Sequence, residues 1–245
     1  MKASRQRTTR TRQITLAAVF AIVYFILRSV PTFSMIGVSG QFTAGDFLLT
    51  TIALTAGLWS GTVAVLVGTT IAYAVRPTIF LGLDFLPGVA NVCVAALIIS
   101  GRRRLAQTSY ILLLVAFLVS PYSLLYGYDH IPYVWLHLVA LAVLLSPVTS
   151  RIPNWLNKGG YFGVAAIATL AFVGTMAQHL VGGILFEFVL GFVGGVPLTK
   201  FANIWQVLFF LYPEERLIIL TISTILAVAI FNAYQRLVPH SQVRT

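Results

Sequence analysis

The sequence predicts an all-α fold, a polytopic transmembrane helical bundle of about eight spans (six to eight), with both termini in the cytoplasm. Three observations predict it. Hydrophobic residues make up 58% of the 245 positions and charged residues only 9%, against about 25% charged in a soluble domain. Several apolar runs approach or exceed the roughly 18 residues that mark a membrane helix. The basic residues concentrate in short segments between those runs. A β-barrel would instead show short segments of alternating hydrophobicity.

The elements follow in order. Residues 1–13, "MKASRQRTTRTRQ", form a basic cytoplasmic arm, and 14–236 form a single transmembrane domain. The arm and "ITLAAVFAIVYFIL" together mimic a secretory signal. No convincing small-residue cleavage site follows, so an uncleaved first span is expected at 14–30. Further spans are expected at 43–58, 60–75, 84–100, 108–126, 133–149, 160–182 and 216–236, separated by Gly, Pro and charge clusters. Only "LWSG" divides the second from the third. Segment 183–212 is apolar but broken by Gly182, Gly183, Gly191, Gly194, Gly195 and Pro197, and reads as a re-entrant or interfacial element. Pro213, Glu214 and Glu215 read as the first turn of the last span, where acids are favoured by the helix dipole. Residues 237–245 are a cytoplasmic tail.

Charge sets the orientation. The net charge is +10, but its distribution follows the positive-inside rule rather than a nucleic-acid surface. With the N-terminus inside, the arm, Arg102, Arg103, Arg104, Arg151, Lys158, Arg236 and Arg244 all fall in the cytoplasm. Arg28, Arg76, Lys200 and Arg216 fall at the outer face. All six acids, Asp46, Asp84, Asp129, Glu187, Glu214 and Glu215, map to outer loops or outer span ends. Either the outer loops are simply wet or the acids wall an outer polar cavity. The single cysteine, Cys93, lies in an apolar run and reads as packing.

Small residues line two helices. Gly57, Gly61, Ala64, Gly68 and Ala72 recur at steps of three and four residues through the second and third spans, a face that lets another helix approach closely. Ala17, Ala18 and Ala21 form a similar face on the first span. Such faces serve internal packing or a partner helix, and spacing does not distinguish the two.

The basic arm with "TRQITLAAVFAIVYFILRSVP", then "FTAGDFLLTTIALTAGLWSGTVAVLVGTTIA", "RPTIFLGLD" and "FLPGVANVCVAALIISGRRR", resembles the substrate-binding S component of energy-coupling factor (ECF) transporters. The resemblance covers residues 10–104 well and the last two spans loosely. It implies capture of a small nutrient, such as a vitamin, in an outward cavity, with uptake energised by separate ATPase subunits through a T-type transmembrane coupling subunit. Carried over, Ala17 and Ala21, with Ala18, would contact that subunit. The substrate segments would lie around Gln41 to Asp46, Arg76 to Asp84 and the loop before Glu215. The family norm is about six spans, so 108–149 would be an inserted hairpin. The nickel and cobalt members carry a histidine directly after the initiator methionine, where this chain has Lys2.

The substrate-binding candidates are Gln41, Asp46, Arg76, Asp84, His179, Glu187 and Glu215. No cofactor and no metal site is expected: His130, His137, His179 and His240 form no i, i+4 ligand pair. His179 reads as an interhelical hydrogen-bonding residue, with a cavity-facing role as the alternative. Phe42, Trp205, Tyr212 and other outer aromatics read mostly as an interfacial belt, although some would suit stacking on a ring-bearing or cationic nutrient. No GxxxxGK[ST] loop is present, and HExxH and GxSxG are absent, so no enzyme activity is expected. The partners expected are the lipid bilayer, the coupling and ATPase subunits and a small-molecule substrate, with no nucleic acid. The alternatives are a structural subunit of a membrane complex and a solitary small-molecule transporter.

Overall fold

A computed structural model gives the architecture and describes residues 2–37 and 40–237. Met1 of the arm, and the tail from residue 238 onward with His240 and Arg244, lie outside the described residues.

The described chain is all-α apart from two small hairpins. α1 runs from Lys2 to Arg28, so the basic arm is helical and continuous with the first apolar run. β1 (Pro31–Ser34) and β2 (Gln41–Thr43) pair antiparallel, Pro31 opposite Thr43. A 3-10 turn, Ala44–Leu48, leads into α2 (Leu49–Ala72). α3 (Leu86–Ile99) and α4 (Arg103–Leu118) follow, then β3 (Tyr126–Tyr128) with β4 (Ile131–Pro132). α5 (Trp135–Leu145), α6 (Val148–Lys158), α7 (Gly160–Phe186), a π-helical turn (Glu187–Val193) and α8 (Leu198–Leu237) complete the chain.

Among the described residues, four helical stretches can cross a membrane by length and composition: 10–28, 44–72, 160–193 and 198–237. A fifth forms if α5 and α6, bent by 71° at their junction, count as one span. α3, α4 and α5 have 14, 16 and 11 residues, short of the roughly 20 that cross a bilayer. Each of the eight expected runs nevertheless contains helix.

The 44–72 stretch is a U rather than a rod. Gly57 has φ 72 and ψ −166, a combination open essentially to glycine alone, and the chain turns back there. A Cβ on Gly61 would lie 3.0 Å from the Ile52 side chain, whereas nine residues of straight helix span about 13 Å. Both ends of the U meet the end of α1: a Cβ on Gly45 would lie 3.4 Å from the Arg28 Cα, and Arg76 donates to the Arg28 carbonyl at 3.2 Å. The two expected spans are therefore the two arms of this U.

The small-residue face packs inside the molecule. A Cβ on Gly68 would come within 2.7 Å of the Ala21 carbonyl oxygen, and one on Gly61 within 2.8 Å of Val92. Ala64 and Ala72 are buried, and Gly57 acts through its backbone, since nothing lies within 4 Å of where its Cβ would stand. Ala21 is buried against α2, Ala17 is half-buried and Ala18 is exposed.

α7 is the central helix, touched by α3, α4, α5, α6 and α8. Segment 183–212 divides into the end of α7, the π turn, a turn over 194–197 and the first half of α8. Glu214 and Glu215 consequently lie in the middle of α8, not at a helix start. Pro213 removes one backbone N–H, yet the helix runs through it. The reason is a stripe of buried residues, Phe201, Trp205, Phe209, Tyr212, Arg216, Ile219 and Ser223, at steps of three and four. Its burial outweighs the roughly 3 kcal/mol that an internal proline costs.

Candidate functional site

The end of α1, the β1–β2 hairpin, the loop before α3, the last turns of α7 and the middle of α8 enclose a cavity of about 110 Å³. Four of the six acids are buried, namely Asp46, Asp84, Glu187 and Glu215, and so is Arg216.

Each wall has a local reason for its place. Asp46 sits in the 3-10 turn, where its carboxylate faces the Thr43 backbone N–H at 3.4 Å and accepts from Gln178 Nε2 at 2.7 Å. The Gln178 carbonyl oxygen in turn accepts from Asn91 Nδ2 at 3.0 Å. This chain of three buried side chains ties the 3-10 turn, α7 and α3 together. The helices can approach because residue 174 is glycine: a Cβ there would lie 2.5 Å from Asn91 Oδ1.

Asp84 lines the cavity, but its oxygens accept from the backbone N–H groups of Ile79 and Phe80, at 2.9 and 3.2 Å. It therefore shapes its own loop, where Leu81 and Gly82 adopt positive φ. Arg76 lies beside the main cavity rather than in its wall. It donates to Gln41 Oε1 at 2.7 Å and to the Arg28 carbonyl, clipping α2, β2 and α1 together.

α8 contributes the most polar wall. Arg216 lies beside Glu215, with Nη2 3.7 Å from Oε2, and its guanidinium stands 4.5 Å from the centre of the Phe42 ring. Arg216 is 2% exposed, and its Nε and Nη2 find no hydrogen-bond acceptor. One turn earlier, Tyr212 stacks on His179, with centroids 5.0 Å apart, and donates to the Tyr133 carbonyl. His179 Nδ1 meets His137 Nε2 at 2.9 Å across α7 and α5. That contact requires a lone pair on one ring and a proton on the other.

Of the seven candidates from sequence, Gln41, Asp46, Asp84, His179 and Glu215 line this cavity. Arg76 borders it, and Glu187 is buried in the π turn outside its walls. Sequence reasoning does not single out Gln178 or Asn91, although a lone amide inside an apolar run is itself a signal. Charge patterning places Arg28 and Arg216 at the outer face and offers Arg216 as an ion partner for the adjacent acids, but puts neither in a cavity wall. Phe42, Trp205 and Tyr212, which hydropathy assigns mostly to an interfacial belt, belong to the cavity wall. Among the described residues no group of three or more His, Cys, Asp or Glu side chains could hold a metal ion.

The arrangement offers a ligand guanidinium donors from Arg28 and Arg216, the Glu215 carboxylate as acceptor, and the aromatic surfaces of Phe186, Trp205 and Tyr212. Its volume is below the roughly 300–1,000 Å³ of sites that enclose drug-sized ligands. A compact ligand fits as it stands, and a larger one requires the walls to part.

Fold and site together define an all-α protein whose described helices include four long and apolar enough to cross a membrane, with a largely apolar cavity that carries buried charged residues at one end of the bundle. Comparison with protein families, with curated proteins and with solved structures finds no match to this chain.

Proposed function

We propose that this is a multi-pass cell-membrane protein, both termini cytoplasmic, that captures a small ring-bearing nutrient from outside as the S-type subunit of an ECF-type uptake system. The observation that carries the reading is Arg216, a buried cation on a cavity wall whose Nε has no hydrogen-bond acceptor and whose Nη2 reaches Glu215 only at 3.7 Å. Each unmet buried donor costs about 1–3 kcal/mol, and a ligand acceptor such as a carbonyl or ring nitrogen would relieve it. The neighbouring aromatic surfaces suit a ring, and the Glu215 carboxylate balances the cation, so the ligand is neutral or zwitterionic.

Depth supports the same reading. From Arg216 to Tyr234, which Arg12 of α1 contacts, α8 extends about 27 Å at 1.5 Å per residue. That is close to the roughly 30 Å of a bilayer's hydrocarbon core, so the cavity lies about one membrane thickness from the basic end. The sequence holds no GxxxxGK[ST] loop, in keeping with uptake energised by separate ATPase subunits.

The test is affinity purification of the full chain from its native cells in mild detergent, with mass spectrometry of what accompanies it. A T-type membrane subunit with two ATPases is the expected result. Recovery of the chain alone, or with an unrelated membrane complex, overturns the capture-subunit reading.

A further inference from the structure

The end of the molecule opposite the cavity carries a second arrangement, on α6. α3 and α7 fix this polarity: Pro87 and Gly88 at the start of α3 and Gln178 to Phe186 at the end of α7 line the cavity, so Ile99 and Gly160 lie at the far end. α6 joins there, turned 71° from α5. Its buried residues, Thr149, Ile152 and Leu156, fall at i, i+3 and i+7 and face the bundle.

The outward side of α6 has its own stripe. Arg151, Asn154, Trp155 and Lys158 stand at i, i+3, i+4 and i+7, and with Phe162 of α7 they line a groove. Trp155 and Phe162 lie 5.7 Å apart, and the Lys158 ammonium sits 5.2 Å from the Phe162 ring centre. Among the described residues neither Arg151 nor Lys158 has an ion-pair partner. Arg102, Arg103 and Arg104 are exposed nearby, because Gln107 in the first turns of α4 donates to the Leu144 carbonyl where α5 gives way to α6. Tyr161 is 82% exposed beside the groove.

We propose that this groove binds the headgroup of an anionic phospholipid. Arg151 and Lys158 take the phosphodiester, Asn154 supplies a neutral donor, and Trp155 and Phe162 lie along the first part of the acyl chains. Two features favour lipid over a soluble anion. The groove pairs cations with the half-buried Trp155 and the exposed Phe162, the composition of a membrane interface. It lies where the apolar helix α5 ends and α7 begins. The proposal does not depend on what the cavity binds.

The full-length protein, purified in mild detergent, would be titrated with phosphatidylglycerol, phosphatidylcholine and inorganic phosphate. Retained lipid would be read by native mass spectrometry, and affinity by quenching of tryptophan fluorescence. The expected result is preferential retention of phosphatidylglycerol, undisturbed by millimolar phosphate. Each cation near the surface contributes about five-fold in affinity, so R151Q/K158Q should lose about thirty-fold for phosphatidylglycerol and much less for phosphatidylcholine, whose choline cation offsets its phosphate. R103Q, outside the groove, should change little. Equal retention of the two lipids by the unmodified protein overturns the proposal whether or not the double variant folds. Displacement by inorganic phosphate, or a double variant that keeps the preference, also overturns it.

Discussion

Arg216 and Glu215 show how much a single buried pair can hold in place. Removing one member of a buried ion pair costs about 3–5 kcal/mol because the other charge is left uncompensated. R216M should therefore lower the thermal midpoint in detergent sharply, and E215Q/R216M should recover part of the loss, which a double-mutant cycle would measure. Gln178 makes a similar case without charge of its own. It serves the Asp46 carboxylate, whereas Asn91 serves only the Gln178 carbonyl. Q178L should cost about 1–3 kcal/mol and more than N91L, as read by thermal unfolding; equal costs would mean that Asp46 does not rely on Gln178. At this scale the sequence reveals residue types but not their neighbours. Gln178 and Asp46 are 132 positions apart, and nothing in either local run announces that they meet.

Turns and helices explain why local reading succeeds in one place and fails in another. The break between two runs is legible because "LWSG", residues 58–61, interrupts apolar sequence, and the turn itself falls at the preceding Gly57. The structure supplies the reason, a backbone conformation that other residues reach only at about 1–3 kcal/mol. No neighbour crowds the position, so G57A should show that backbone cost alone in a thermal melt. A destabilisation near zero would mean that the U does not need this conformation. α8 goes the other way. "YPEER" carries every local mark of a helix start, and the structure runs a helix straight through it. The stripe from Phe201 to Ser223 is present in the sequence, but the glycines before it and the proline within it draw the expected boundary to residue 213.

For the whole molecule, the all-α class and helices apolar enough to cross a membrane are legible from composition and the length of the apolar runs, and helices recur at all eight runs. Helix lengths are less legible, because α3, α4 and α5 stop short of the usual span while α7 and α8 exceed it. Hydropathy reports how apolar a run is, not where tertiary packing ends its helix. The cavity is legible as a set of polar span ends, but its closure requires β1–β2 and the Asp84 loop, whose residues carry no strong pattern. Orientation has a direct test. In a C93A background, D129C should react with a membrane-impermeant maleimide in intact cells and R103C only after permeabilisation. The reverse pattern would invert the assignment of the two faces.

The length of α8 has a mechanical consequence. Between Glu214 and Leu237 the chain has no glycine or proline, so this half of the helix behaves as a stiff lever. Its fulcrum end is the cavity wall, and its far end meets α1 where Arg12 contacts Tyr234. A tilt of about 5° at Arg216 would swing Tyr234 by about 2 Å over that length, so an occupant that shifts the wall also moves the α1–α8 contact at the far end of the helix.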